Sequence, residues 1–344
     1  MTRRMLLQAL PLPVLAQSYL SSPRRALTAP ELKDAPDEWI ERSFAWVDDM
    51  LARTPSWQLE ATRLTPPETA LHRAALIRLD DILHIDSAPA KPLVQQWYRR
   101  RMEQTSLNCA RRTSRRRIVK LYDHGWFIET PSARFAIDLV GGAPRNAGFQ
   151  MSPEARLRFA DAADALFISH WHSDHADPEV ARLFLARNKP VVAPADVFRD
   201  IPELQKQLTV LPRGSASAQS LLNLRVHVHP GHQGRDVINN CYRIESPGGF
   251  SVLHTGDQSN DDDFNWIDTL HSRHSVDLFL PNCWTPQPLR FVSGVKPRLT
   301  LPGHENEMAH TVPHREDWTQ TFTRFEGCSS LVLPLCWGEE VTIA

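Results

Sequence analysis

Cysteine is scarce in this 344-residue chain. Cys109, Cys241, Cys283, Cys328 and Cys336 are scattered, odd in number and form no C-x-x-C pair. That pattern supports neither a cysteine zinc site nor a full disulfide framework, and buried free thiols are expected. An excess of charge of one sign is also missing. Lys+Arg 39 against Asp+Glu 40 leaves a net charge of −1, which argues against a dedicated nucleic-acid binder. No apolar run is long enough to span a bilayer: the stretch 5–16 is short and contains Pro11 and Pro13. Repeats of fixed short period and low-complexity blocks are absent too. With 42% hydrophobic and 23% charged residues, the composition is that of a soluble globular protein, one large domain or a domain with an appendage.

The charge that is present is unevenly spread. Between 99 and 120, a run of arginines ending in Lys120 is opposed only by Glu103. It reads either as a face packed on acidic neighbours and water, or as a patch for an anionic substrate, lipid headgroup or RNA. At the N-terminus, Thr2-Arg3-Arg4-Met5-Leu6-Leu7-Gln8 resembles a twin-arginine export signature, and Ala16-Gln17-Ser18 offers a small-residue cleavage zone. Residues 1–20 are therefore expected to be a signal peptide and the protein periplasmic. The alternative is an ordinary frayed terminus on a cytoplasmic protein.

Residues 21–30 form a Ser/Pro/Ala linker, and 31–116 read as an α-helical extension. Trp39, Ile40, Phe44, Val47 and Met50 recur near helical spacing, a second helix follows Thr65-Pro66-Pro67-Glu68, and a third covers 91–102. This extension carries no chemical motif, and packing, narrowing of a substrate entrance or a homo-oligomer contact are its expected roles. From 117 to 344 short strands alternate with helices, the texture of a layered α/β domain.

The chemistry concentrates in His170-Trp171-His172-Ser173-Asp174-His175, an H-x-H-x-D-H run that follows the buried-strand signal Ala165-Leu166-Phe167-Ile168. Four metal-binding side chains fall within six residues, on a loop that a rigid sheet can hold. An ordinary polar loop is the alternative, and it loses ground downstream. His232 in Pro-Gly-His, Asp257 in Thr-Gly-Asp and His304 in Pro-Gly-His each stand where a strand is expected to end. Single ligands from separate strand ends converge on one sheet edge, where glycine lets the backbone turn.

With these elements the sequence resembles the metallo-β-lactamase fold superfamily. The resemblance rests on the opening Asp123-His124-Gly125-Trp126-Phe127-Ile128-Glu129-Thr130 with Asp138 after it, the H-x-H-x-D-H run, Pro230-Gly231-His232, Thr255-Gly256-Asp257 and Gly303-His304. It implies a four-layer αβ/βα sandwich with a dinuclear site at one edge. His170, His172 and His232 would hold one metal, Asp174, His175 and His304 the second, and Asp257 would bridge them. Asp138 would orient a ligand imidazole from behind. Ligation by nitrogen and oxygen alone suits two zinc ions, with manganese or iron as alternatives.

The implied activity is hydrolysis by a metal-bridging hydroxide, with Asp174 positioning the nucleophile or shuttling its proton. His310 is a candidate proton donor for the leaving group, with ligation in place of His304 or a surface-helix position as alternatives. Asp257 stands where common β-lactamases carry cysteine, and His172 where the diiron oxygen-reducing branch carries glutamate. What remains resembles the phosphodiesterase and lactonase branches, with a small-molecule or lipid-like ester or phosphodiester as substrate. A mononuclear iron, persulfide-dioxygenase-like oxidoreductase and a non-catalytic metal-stabilised binding module stay open. His124 lies near the site or is a turn residue, His254 packs in its strand, and His227 and His229 face away from the metals. Trp171 and Trp284 are candidate pocket walls.

Overall fold

The computed structural model describes residues 34–54, 57–58, 66–143 and 146–343. The expected signal peptide at 1–20 and linker at 21–30 lie outside the described residues. Three helices open the described chain: α1 (Asp37–Ala52), α2 (Pro66–Leu83) and α3 (Pro92–Ala110), with the two-residue strand β1 (Trp57–Gln58) after α1. Strands β2 (Arg116–Lys120), β3 (Trp126–Glu129) and β4 (Arg134–Ile137) follow as an antiparallel meander. Helix α4 (Pro153–Ala162) leads to β5 (Ala165–Phe167), and α5 (Pro178–Leu185) to β6 (Val191–Val192). After α6 (Pro202–Gln205) come β7 (Gln219–Leu221), β8 (Leu224–Gln233), β9 (Val237–Glu245) and β10 (Ser251–His254). Helices α7 (Phe264–Ile267) and α8 (Leu270–Arg273) precede β11 (Leu278–Leu280), α9 (Pro288–Val295) and β12 (Leu299–Thr300). Helix α10 (Trp318–Arg324), β13 (Leu331–Val332) and β14 (Glu340–Ile343) complete the chain.

These strands form two mixed seven-stranded sheets, ordered β1-β14-β2-β3-β4-β5-β6 and β13-β12-β11-β10-β9-β8-β7. Strand alternation shows how they are layered. Ile118, Ile128, Phe135 and Phe167 of the first sheet meet Val226, Tyr242, Val252 and Leu278 of the second in one apolar core. Their neighbours Val119, Phe127, Ala136 and Leu166 point the other way, into a core shared with α1–α5 and α10. On the far side, Leu253 and Phe279 pack beneath α7, α8 and α9. Sheets buried on both faces need near-continuous apolar runs, and β5 supplies one. The result is the expected four-layer αβ/βα sandwich.

The three N-terminal helices are built into this sandwich. Trp39, Leu79, Trp97 and Tyr98 belong to the same apolar core as the outer face of the first sheet. β1 pairs with β14, and His72 Nε2 meets Glu339 Oε2 at 2.9 Å. The basic run of 99–120 is partly consumed within the fold: Arg100 pairs with Asp48, Arg117 with buried Glu129, and buried Lys120 with Glu305. No helix among the described residues is long and apolar enough to cross a membrane.

Three local features break the simple pattern of strands and helices. β8 does not stop at Val228 but runs through Pro230 to Gln233, in unbroken register with β9. Pro230 lies opposite Asn240, whose amide donates to the Ser169 carbonyl (2.8 Å), so the missing proline N–H costs no ladder bond. Residues 264–273 form two short helices rather than one, α7 ending at Ile267 and α8 beginning at Leu270, and the Asp263 carboxylate before them reaches His232. Helix α10 begins at Trp318, where Asp317 accepts from the Gln320 amide as N-cap, after a separate short turn that contains Pro313.

Candidate metal centre

β4, β5 and β6 run parallel, as do β10, β11, β12 and β13. Their C-terminal ends, with the turn between β2 and β3, put a set of ligand-type side chains on one edge of the sandwich. Ile168 leaves β5, and the loop it enters is anchored on both sides. Tyr242 Oη donates to the Ile168 carbonyl (2.9 Å) from the second sheet. Asp138 accepts from the Ser169 amide (2.7 Å) and hydroxyl (2.6 Å) in the first. Asp177 closes the loop by capping α5 through the amides of Glu179 and Val180.

Two groups hold most of the sequence candidates. His170, His172 and Asp257 converge in one, and Asp123, Asp174, His175 and His304 in the other, while buried His124 lies behind them in two further groups, with His175 and Asp257 and with Asp138 and His254. Asp257 joins them: its Oδ2 is 3.7 Å from His170 Nε2 and 3.5 Å from His304 Nε2, and its Oδ1 is 3.3 Å from His175 Nε2. Asp174 Oδ2 stands 3.3 Å from His175 Nε2 and 3.5 Å from His304 Nε2. His304 Nδ1 lies 3.4 Å from Asp123 Oδ1.

These separations are long for charge-assisted hydrogen bonds. They match a metal shell instead: two ligand atoms each ~2.1 Å from a tetrahedral ion lie roughly 3.4 Å apart. Nε2 of His170 and His175, both ring nitrogens of His304, both oxygens of Asp123 and Oδ1 of Asp257 are buried without a hydrogen-bond partner. Protein interiors rarely leave so many polar atoms unsatisfied in one place. The donor set fits divalent cations.

The electrostatics agree. Burial works against the charge on Asp174 and Asp257, yet the surrounding imidazoles hold both carboxyls well below the usual range. Burial likewise opposes the charged forms of His175 and His304, and the carboxylates around them raise both well above an ordinary imidazole. His170 is pushed down to about 3 by burial and by His175. Asp123 is pushed up to about 8 by burial, with His304 and His175 opposing. Opposite charges balance within the cluster, and a metal bound by such a set would release the protons of its ligands.

Behind the ligands stands a supporting layer. His175 Nδ1 meets Asp138 Oδ2 at 2.8 Å, which orients Nε2 toward the centre. His232 lies outside both groups. Its ring is about one-third exposed, and its Nδ1 is held by Asp263 Oδ1 at 2.8 Å. His310 is about half exposed, with Nδ1 3.5 Å from Glu307 Oε2 and its ring centre 6.4 Å from that of His304. His254 packs in its strand, its Nε2 donating to the His124 carbonyl at 3.2 Å. Trp171 and Trp284 contact His172 and His304 at ring separations of 4.4 and 5.7 Å, and Arg199 sits over Trp171 at 4.7 Å.

Asp123 and Asp263 were not among the sequence candidates. Asp263 carried no local signal, being one of three consecutive aspartates. Asp123 did stand in the quoted opening run, but an Asp-His-Gly turn looks the same whether its carboxylate caps a turn or faces a metal. Its backbone offers the clue that sequence lacks: Asp123, Asp138 and His304 have φ of 55°, 45° and 74° without being glycine. Such left-handed residues cluster where function requires them. Two glycines permit the approach. A Cβ on Gly256 (φ +52°) would meet Asn239 Oδ1 at 2.1 Å, and one on Gly303 would meet His124 Cδ2 at 2.5 Å.

No protein-family model matches the chain, and no curated protein matches it significantly. Solved structures do. The chain is similar to Igni18, a metallo hydrolase from the hyperthermophilic archaeon Ignicoccus hospitalis, at 19% identity and a TM-score of 0.53, over 67% of this chain and 98% of that one. It is similar to a possible metal-dependent hydrolase from Veillonella parvula at 15% identity and a TM-score of 0.52, over 66% and 99%. An isothiocyanate hydrolase from Delia radicum gut bacteria aligns at 11% identity and a TM-score of 0.50, over 65% and 97%.

Proposed function

We propose that this chain, which has the metallo-β-lactamase fold, is a metal-dependent hydrolase that holds two divalent ions, zinc first among the candidates. The observation that carries the reading is the set of ligand atoms 3.3–3.5 Å apart, among which Nε2 of His175, both ring nitrogens of His304, Oδ1 of Asp123 and Oδ1 of Asp257 are buried with no hydrogen-bond partner. The three similar structures reported above are named as hydrolases, which supports it. His170, His172 and His232 would hold one ion, and Asp174, His175 and His304 the other, with Asp257 between them. Asp123 adds a carboxylate to the second set. His232 enters through Nε2, because Asp263 holds Nδ1.

When bound, two such ions supply a water acidified toward neutrality and an electrophilic contact for a substrate oxygen. The chain's own groups do the rest. Asp174 is 16% exposed, so it faces the solvent side and takes the proton of the attacking water. His310 stands beyond His304 on that side and donates to the leaving group, its Nδ1 held by the His314 carbonyl at 3.2 Å with Glu307 Oε2 3.5 Å away. Trp171 and Trp284 flank the approach, and Arg199 over Trp171 favours an anionic substrate. A phosphodiester fits best, with a lactone or ester as the related choice.

Metal analysis and a substrate panel test this reading. Two equivalents of zinc or manganese, turnover of bis-p-nitrophenyl phosphate or a lactone, and joint loss of metal and activity in His172→Ala are expected. One iron with oxygen consumption, or full activity in His172→Ala, refutes it.

A further inference from the structure

β8 presents its two faces to different chemistries. Leu224, Val226 and Val228 point into the core between the sheets, and His232 keeps their parity at the metal edge. Arg225, His227 and His229 have the opposite parity and face outward. There they meet Arg243 of β9, which lies opposite His227, and Arg273 and His274 at the end of α8. Arg225, His227, Arg243, Arg273 and His274 line an open cavity of about 680 Å³, which also takes in Ser217 and Ser220, while His229 lies beside it. Five residues separate His227 from His232, so the cavity lies about 17 Å from the metal edge along the strand.

The lining is polar and carries excess positive charge. Glu245 is the single carboxylate in it, 2.9 Å from Arg243 Nη2 and 3.3 Å from Arg225 Nη1. One carboxylate against three guanidiniums leaves a surplus of two positive charges. The His227 and His274 rings are 4.4 Å apart, and His229 stacks on Trp266 at 4.9 Å. His227 is only 6% exposed, yet its Nδ1 has no hydrogen-bond partner, and neither has His229 Nε2. Burial and the neighbouring imidazoles and arginines push His229 down to about 3 and His274 down to about 4. At neutral pH these rings are uncharged, each with one N–H to offer.

We propose that this outer face of the second sheet is a second ligand site, which takes a small molecule bearing a dianionic phosphate group. A dianion matches the surplus of two charges, and guanidinium forks and imidazole N–H groups are the donors that phosphate oxygens accept from. The cavity exceeds the volume of the ion alone and falls in the range of small-molecule sites, so the phosphate is carried on an organic group. The site is independent of the hydrolase reading, because none of its residues belongs to the metal centre.

Calorimetric titration with phenylphosphonate, whose C–P bond resists hydrolysis, tests the site. The metal centre also attracts oxyanions, so wild type, His172→Ala and chelator-treated wild type are compared. One binding equivalent common to all three is expected, weakened roughly tenfold or more in Arg225→Gln/Arg273→Gln. Both arginines are solvent-facing, so metal content and turnover of the double variant stay at wild-type levels. Absence of any equivalent from the chelator-treated protein, or unchanged affinity in the double variant, overturns the proposal. Equal affinity for inorganic phosphate and phenylphosphonate overturns the organic group.

Discussion

Asp80 and Asn306 lie 226 positions apart in the chain and 3.1 Å apart in the fold, Asp80 Oδ1 accepting from the Asn306 side-chain amide. Asp80 belongs to α2. Its carboxylate also accepts from the amides of Trp318 and Thr319 and from the Thr319 hydroxyl. Arg315 reaches back to the carbonyls of Leu83 and Ile85. The segment between His304 and α10 is therefore clasped by the N-terminal helical layer two residues beyond a candidate ligand.

Asp80→Ala leaves these buried donors without an acceptor, at a cost of roughly 2–4 kcal/mol. Calorimetry is expected to show a lowered Tm, and dialysis with metal analysis a weaker hold on one of the two ions. An unchanged Tm with full metal content would show that the clasp is incidental.

Asp138 touches His175 and no other member of the two ligand groups, yet Asp138→Ala is expected to weaken metal affinity 10–100-fold. Competition with a chromogenic chelator measures this. The loss is expected in affinity first, with activity restored by excess metal.

Asp123→Asn replaces a buried carboxylate with an amide, a poorer ligand and no counter-charge for His304. The expected stoichiometry by plasma emission spectrometry falls from two ions toward one. Two tightly held ions in this variant would exclude Asp123 from the shell.

Gly256→Ala places a methyl group 2.1 Å from Asn239 Oδ1 at a backbone φ of +52°. The expected loss is above ~2 kcal/mol of stability, because the obstruction adds to left-handed strain. Asp257 is displaced with it, so metal content falls as well. Urea unfolding of the metal-free protein separates the two effects.

Glu339 provides a pH test away from the metals. Burial opposes its charge, but the His72 imidazole at 2.9 Å holds its carboxyl below the ordinary value near 4.5. A depressed carboxyl contributes stability that is complete above its unfolded pKa and is lost as pH falls through its folded one. Glu339→Gln should therefore be less stable than wild type by roughly 1.5–3 kcal/mol at pH 7. The gap narrows as the pH falls from about 4.5 through the depressed range of this carboxyl. A gap that shows no pH dependence in acid would assign the effect to packing.

Much of the centre was legible because its signals are local. The H-x-H-x-D-H run puts four donors on one loop, and Gly-Asp and Gly-His mark sharp turns after apolar strands, so His170, His172, Asp174, His175, Asp257 and His304 stood out before any fold was known. A layered α/β domain was legible through strand–helix alternation, and the four-layer sandwich through the family resemblance that these elements carry in their order. His232 was expected at a strand end and stands one residue before the end of β8, although proline and glycine inside that strand look like an earlier stop until β9 is seen to pair beyond them.

What the sequence by itself determined, then, is the inventory of donors and the kind of scaffold that collects them, because both follow from short-range periodicity and residue chemistry. Only the tertiary structure decided which donors are left without partners, that Asp123 joins them, that His175 is the imidazole Asp138 holds, and that Asp263 holds His232. It alone decided that the N-terminal helices share the core of the first sheet and grip the loop after His304. These facts depend on contacts between residues as far apart as Asp80 and Trp318, and on burial that makes an unbonded carboxylate costly. Neither leaves a trace in local sequence.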